Sequence, residues 1–130
     1  MTTLRISDLS VGDWVQNDYG DYVKVAGIWQ GCNFNYQVDI LRDGRIGTIV
    51  PSCNIHPIPI TAEILEKNGF GCIEEDTETA LYGTPSCSIF HAKGTLRYRL
   101  DTPQASVVCW NIHDLQHALR LAGVEKEINL

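Results

Sequence analysis

No apolar run in the 130 residues approaches the ~20 needed to span a bilayer. The opening Met1-Thr2-Thr3-Leu4-Arg5 lacks the basic and apolar regions of a secretion signal. The sequence therefore predicts a soluble, cytoplasmic protein with no membrane partner. Positive charge is scarce: 10 Lys+Arg stand against 16 Asp+Glu, a formal net charge of −6. Such a chain repels a phosphate backbone and gains little from counterion release, which argues against non-specific nucleic-acid binding. Cysteines at metal or redox spacing are missing, since Cys32, Cys53, Cys72, Cys87 and Cys109 form no Cys-x-x-Cys. Five thiols cannot all be bridged within one chain, so reduced cysteines packed as small buried hydrophobes are expected. Phosphate-cradling loops are missing too: there is neither a GxxxxGK[ST] nor a GxGxxG. Gly69-Phe70-Gly71 follows a helical pattern where a strand is needed. No Ser or Cys sits in a nucleophile elbow, and Thr84-Pro85-Ser86-Cys87-Ser88 reads as a hairpin loop. No catalytic turnover and no cofactor are predicted.

What is present is ordinary globular usage, 44% hydrophobic and 20% charged, enough for a core without staples. From Leu4 to Ile60 short strand patterns alternate with turns. Asn17-Asp18-Tyr19-Gly20-Asp21 separates Trp14-Val15 from Tyr22 to Trp29, and Asp43-Gly44 supplies the preferred pair for a tight hairpin before Ile46 to Val50. Four or five strands with hairpin turns suggest a small SH3-like barrel over residues 4 to 56, because closure removes unpaired edges. Pro51, Pro57 and Pro59 end the sheet.

Thr61 then caps a short linking helix over 61–68, with Glu63 in its first turn and Gly69 at its left-handed stop. Strand patterns resume between Gly71 and Trp110, and Asn111 caps a final helix that runs to Gly123. The fold class is thus α+β: an SH3-like barrel in 1–60, then an antiparallel sheet with its C-terminal helix in 61–130, packed as one compact unit. Alternation in Thr95 to Leu100 puts Leu96, Tyr98 and Leu100 on the inner face and Arg97 and Arg99 in water. If the strand through Leu96 to Leu100 lies at a sheet edge, two chains could pair there into a homo-oligomer.

Three segments carry a resemblance. Leu4-Arg5-Ile6 with Leu9-Ser10-Val11-Gly12-Asp13-Trp14-Val15, Pro57 to Phe70, and Ile112 to Ile128 resemble a family of uncharacterised small proteins carried by phages and mobile elements of gut bacteria. The likeness covers about half of the chain and implies a genomic setting and shared scaffold segments. It transfers no catalytic residue. Accessory proteins of that setting and size are often interaction or sequestration proteins.

His113-Asp114-Leu115-Gln116-His117 superficially looks like HExxH, but Asp114 stands where the longer general base belongs. The wheel groups Ile112, Leu115, Ala118, Leu119 and Ala122, leaving His113, His117 and Arg120 on the wet face. No metal is predicted; the one chemically sensible zinc set is Cys53, His56, His113 and His117. Binding remains. Most of Trp14, Trp29 and Trp110 are expected in the core, whereas Tyr19 and Phe34 lie in predicted turns and point to ligand or partner contact. Lys93, Arg97 and Arg99 form the local basic cluster, where a small anionic, nucleotide-like ligand would land unless Glu74, Glu75 and Asp76 neutralise it. The sequence thus points to a non-catalytic protein that captures either a small anionic signal or a host protein.

Overall fold

The computed structural model describes residues 9–30, 36–42, 45–51 and 55–130. Its backbone divides into two compact units, Met1–Ile58 and Pro59–Leu130. The protein is α+β, its described residues forming two antiparallel sheets and two helices.

The first unit enters its sheet through a tight turn at Ser10-Val11-Gly12-Asp13. Asp13 N donates to Ser10 O at 3.1 Å, and Gly12 sits at φ +94°, the left-handed conformation that the third position of a type II turn requires. The fully buried Asp13 carboxylate accepts Ser10 N at 2.7 Å, so burial of this acid serves the turn. Strands β1 (Trp14–Gln16), β2 (Tyr22–Gln30), β3 (Tyr36–Arg42) and β4 (Arg45–Pro51) follow as a meander of order β1-β2-β3-β4. The β3–β4 ladder ends on Arg42↔Arg45, a register that suits a two-residue connection. Asp43 and Gly44 themselves lie outside the described residues. On the far side of β1, Gln16 and His56 exchange backbone hydrogen bonds of 2.9 and 2.8 Å. Val15, Val23, Val25, Val38 and Ile40 face inward and pack with Leu9 and Ile55.

One irregularity decides which side chains face out. Before Val25 the odd-numbered residues of β2 are inward; between Val25 and Gly27 the register shifts by one, with Ala26 as the extra residue. Past that bulge the parity inverts, so Ile28 packs against the core and Trp29 turns outward.

The second unit begins with α1 (Ala62–Lys67). Thr61 Oγ1 accepts Ile64 N at 3.2 Å, Glu63 lies in the first turn, and Gly69 at φ +85° reverses the chain. Ile64 and Leu65 are its buried residues, and it packs on β5. Strands β5 (Gly71–Glu75), β6 (Thr79–Thr84), β7 (Cys87–Ala92), β8 (Tyr98–Asp101) and β9 (Ser106–Cys109) form a five-stranded meander in sequential order. Helix α2 (Ile112–Leu121), capped by Asn111 Oδ1 on Asp114 N at 2.9 Å, packs on β8 and β9. Ala80, Tyr82, Ile89, Tyr98 and Leu100 are buried from the sheet, Phe70 beside α1, and Ile112, Leu115, Ala118 and Leu119 from α2. Asn68 fastens the C-terminal tail, donating to Asn129 O at 2.9 Å and accepting Asn129 N at 2.7 Å, and Ile128 is buried.

Two expectations are corrected here. Leu96 is not on the inner face: it is 57% exposed, because the register pairs His91 with Tyr98 and leaves residues 93–97 as a loop. Within that loop Thr95 Oγ1 donates to Ala92 O at 2.7 Å and accepts Arg97 N at 3.2 Å, holding Leu96 off the ladder. The segment 96–100 is also no sheet edge, since β8 is flanked by β7 and β9; the edges of this sheet are β5 and β9. The route to a homo-oligomer through that segment is therefore absent.

Candidate functional site

The basic cluster is largely matched by its own neighbours. Lys93 Nζ donates to Asp76 O at 2.6 Å and lies 3.4 Å from Glu75 Oε1. Arg99 Nε donates to both Asp101 oxygens, at 2.9 and 3.1 Å, while its guanidinium sits 5.1 Å above the Phe90 ring. Partial burial alone would raise the Asp101 pKa, but hydrogen bonds from Arg99 and Ser106 outweigh it and hold the carboxyl below its ordinary range. Asp76 is lowered by the amides of Glu78 and Thr79 that it accepts. Arg97 is exposed and makes no ion pair with another described residue. Arg99 projects from β8, whereas Lys93 and Arg97 belong to the loop between β7 and β8.

The four zinc candidates divide between the two units. Cys53 lies outside the described residues, and His56, in the first unit, is 2.6 Å from Asp18 Oδ1. His113 and His117, in the second, are edge-to-face with centroids 5.9 Å apart. Among the described residues no three His, Cys, Asp or Glu side chains cluster as a metal site would need. The wet His pair is a correction: His113 is 1% exposed and His117 half-buried. A helical wheel ranks faces as if a cylinder lay on a plane. The first turn of α2 instead leaves β9 after only Trp110 and Asn111, so its neighbours close in on sides the wheel leaves open.

The thiols divide. Cys87 and Cys109 are buried and Cys72 is exposed, while Cys32 falls outside the described residues. Loss of hydration, with Asp114 nearby, pushes the Cys109 thiol up to about 12, which removes it as a nucleophile. Tyr98, stacked on His91 at 3.9 Å, is likewise pushed up to about 12 by burial, so it stays a neutral phenol.

The aromatic side chains depart furthest from expectation. Tyr19, placed in a turn by the sequence, is 91% exposed; Asn17 Oδ1 accepts both Tyr19 N at 3.0 Å and Asp21 N at 2.9 Å, which rigidifies the turn that presents it. Phe34 lies outside the described residues. Trp14, Trp29 and Trp110 were expected mostly in the core, yet none of them is buried. Trp14, Tyr22, Lys24, Trp29 and Asp39 all project from the outward face of the first sheet, opposite the valine core.

Their geometry is specific. Trp14 pairs across the ladder with Lys24, whose ammonium lies 5.1 Å over the indole. Trp29 Nε1 donates to Asp39 Oδ1 at 3.2 Å, which fixes the ring's orientation. Gly27 is opposite Asp39, and a Cβ there would stand 3.0 Å from Asp39 Oδ2, so the missing side chain gives the carboxylate room to reach the indole. Tyr22 (47% exposed) and Trp29 (43%) bracket Lys24 along β2. Tyr22-Val23-Lys24-Val25 carried a period-two signal that could have placed Tyr22 and Lys24 outward. Trp29 carried none, because its orientation depends on the bulge. The chain matches no family model, no curated protein and no solved structure with which it was compared.

Proposed function

We propose that the protein is a non-catalytic protein-interaction module, of the kind that phages and mobile elements use on a cytoplasmic host protein, and that it docks through the outward face of the first sheet. The observation that carries this reading is the grouping of Tyr22 and Trp29, both substantially exposed, with Trp14 on one sheet face. Large aromatics in water are costly unless something covers them, and they are the side chains that dominate binding energy at interfaces. Tyr19 extends the surface from the adjoining turn. We read the first unit more finely as an SH3-like barrel, supported by the Gln16–His56 bridge, which uses the outer edge of β1.

Capture of a small anionic ligand is the second reading, and Arg97 is the observation in its favour, being the cation of the basic cluster without an acidic partner among the described residues. A photo-reactive residue in place of Tyr19 or Tyr22, in the full chain inside host cells, separates the two. The docking reading expects one shared cross-linked protein from both positions and none from position 96. Absence of any cross-link, together with a nucleotide-dependent rise in melting temperature lost in Arg97→Ala/Arg99→Ala, would replace it with anion capture. Saturation at 100-fold over Kd adds about 2.7 kcal/mol, which such a screen resolves.

A further inference from the structure

Strand β5 ends the second sheet, with β6 on one side and no described strand on the other. All five of its residues, Gly71 to Glu75, are exposed. Among the described residues its backbone bonds to β6 and, beyond that, Glu74 O accepts the Cys72 thiol at 3.8 Å. A row of backbone donors and acceptors therefore faces water, which is the template an added strand uses. Ile73, the extra residue where the β5–β6 register shifts, is 63% exposed. It lies across Gly83, where a Cβ would stand 2.7 Å from Ile73 Cδ1, so the missing side chain seats an apolar group at this edge.

The charge beside the edge has one sign. Residues 61–79 carry Glu63, Glu66, Glu74, Glu75, Asp76 and Glu78 against Lys67. Two of these acids are used internally: Glu75 lies 3.4 Å from Lys93 Nζ, and Asp76 accepts the amides of Glu78 and Thr79. Glu63, Glu66, Glu74 and Glu78 are exposed and make no ion pair with another described residue. Lys126 lies close by but sits 5.2 Å over the Phe70 ring. Helix α1, which carries Glu63 and Glu66 one turn apart, packs on β5.

We infer that β5 is a docking edge for a short, extended, Lys- or Arg-bearing segment of another protein, which adds as a further strand and pairs its cations with Glu74 and the carboxylates of α1. Main-chain hydrogen bonds supply affinity in such an addition, and the charges select the occupant. A second copy of this edge would bring Glu74 and Glu75 of one chain against those of its mate, and like charges across a ladder repel. An acidic segment meets the same repulsion, and a neutral one gains the backbone bonds alone. A basic segment satisfies both the backbone and the charge. The bulge at Ile73 twists the edge locally, which discourages long flat pairing and suits a short segment. The inference concerns the second unit and stands apart from the docking face of the first sheet.

The test uses the full-length protein and short synthetic peptides in which Thr alternates with Lys, Gln or Glu, titrated at two salt concentrations. A further Lys-Thr peptide, N-methylated at every residue, keeps the charge and loses every backbone donor. The Lys-Thr peptide should bind, more weakly at high salt, the Gln-Thr peptide less well, and the Glu-Thr and N-methylated peptides not at all. Bound Lys-Thr peptide should shift the amide signals of β5 and slow alkylation of the exposed Cys72 thiol, followed at that residue by mass spectrometry. Glu74→Gln should weaken Lys-Thr binding about two- to fivefold, the range of one exposed ion pair, and leave Gln-Thr binding unchanged. Circular dichroism establishes that this variant is folded, and the peptide series on the unaltered chain decides the matter if it is not. Equal binding of the Lys, Gln and Glu peptides, no binding of the Lys-Thr peptide, or binding that survives N-methylation overturns the inference. So does a bound peptide that leaves β5 unshifted and Cys72 unprotected, or an affinity unchanged in folded Glu74→Gln.

Discussion

The two sheets of this protein are built by the same rule, an antiparallel meander with one apolar face, yet they present different outward surfaces. In the five-stranded sheet the ladder is regular from β6 to β9, and the outward row Leu81–Phe90–Arg99–Val108 places a cation over an aromatic ring and leaves it tied to Asp101. In the four-stranded sheet a single extra residue in β2 inverts the alternation and adds Trp29 to a face that already holds Trp14 and Tyr22. One sheet's outward cations are largely neutralised by its own acids, and the other's outward face exposes Tyr22 and Trp29. A bulge, rather than composition, creates the difference.

Core truncations should produce the largest effects and show that both inward faces are ordinary. Phe70→Ala is expected to cost about 3–5 kcal/mol and Ile40→Ala about 2–5 kcal/mol in urea unfolding, since both side chains are buried. A loss below about 1 kcal/mol at Ile40 would mean that the first unit lacks the packed core on which its outward face depends. Next comes Asp13→Ala. It removes the acceptor of Ser10 N and should cost about 1–3 kcal/mol, where a surface acid would cost almost nothing. Smaller still is Asn111→Ala, at about 1 kcal/mol from the lost cap of α2. Smallest in stability, within about 0.5 kcal/mol, should be Tyr22→Ala, which separates a docking residue from a packing one.

The pH response should differ between the alkaline and acid sides of the second sheet. Tyr98 has a folded pKa of about 12 against an ordinary 10.0, so its contribution to stability is complete below pH 10 and is lost as pH rises toward 12. Ultraviolet titration of tyrosinate should show this phenol ionising last. Asp76 and Asp101 are lowered, so their contributions are present above the ordinary carboxylate pKa of 3.8 and disappear as pH falls through their lowered values. Substituting Tyr98 by Phe should remove its share of the alkaline loss, leaving that of the Cys109 thiol, which is also pushed up to about 12, and leaving the acid component unchanged.

Much of the local structure was legible because local chemistry decides it. Thr61, Gly69 and Asn111 occupy the positions that helix ends demand, and the Asn17–Asp21 turn is held by the side chain that favours such turns. Tyr19 was singled out correctly as exposed for the same reason. Features that rest on pairing between strands were not legible. Leu96 follows the inward alternation in sequence and leaves it because the β7–β8 register sets it in a loop. Trp29 faces outward because of a shift between Val25 and Gly27 that no residue type announces, and Asp39 becomes its partner only through that register. His113 is buried by what surrounds the first turn of α2, which a wheel does not contain.

The three tryptophans supply the most direct test of the central claim, that the protein docks through the outward face of its first sheet. Each indole N–H gives its own nitrogen–proton correlation signal, with Trp14 and Trp29 on that face and Trp110 (52% exposed) in the second unit as an internal control. Adding the partner protein cross-linked from positions 19 and 22 should shift the Trp29 signal, then that of Trp14, and leave Trp110 in place. A shift confined to Trp110, or to none of the three while the partner is bound, would contradict the account.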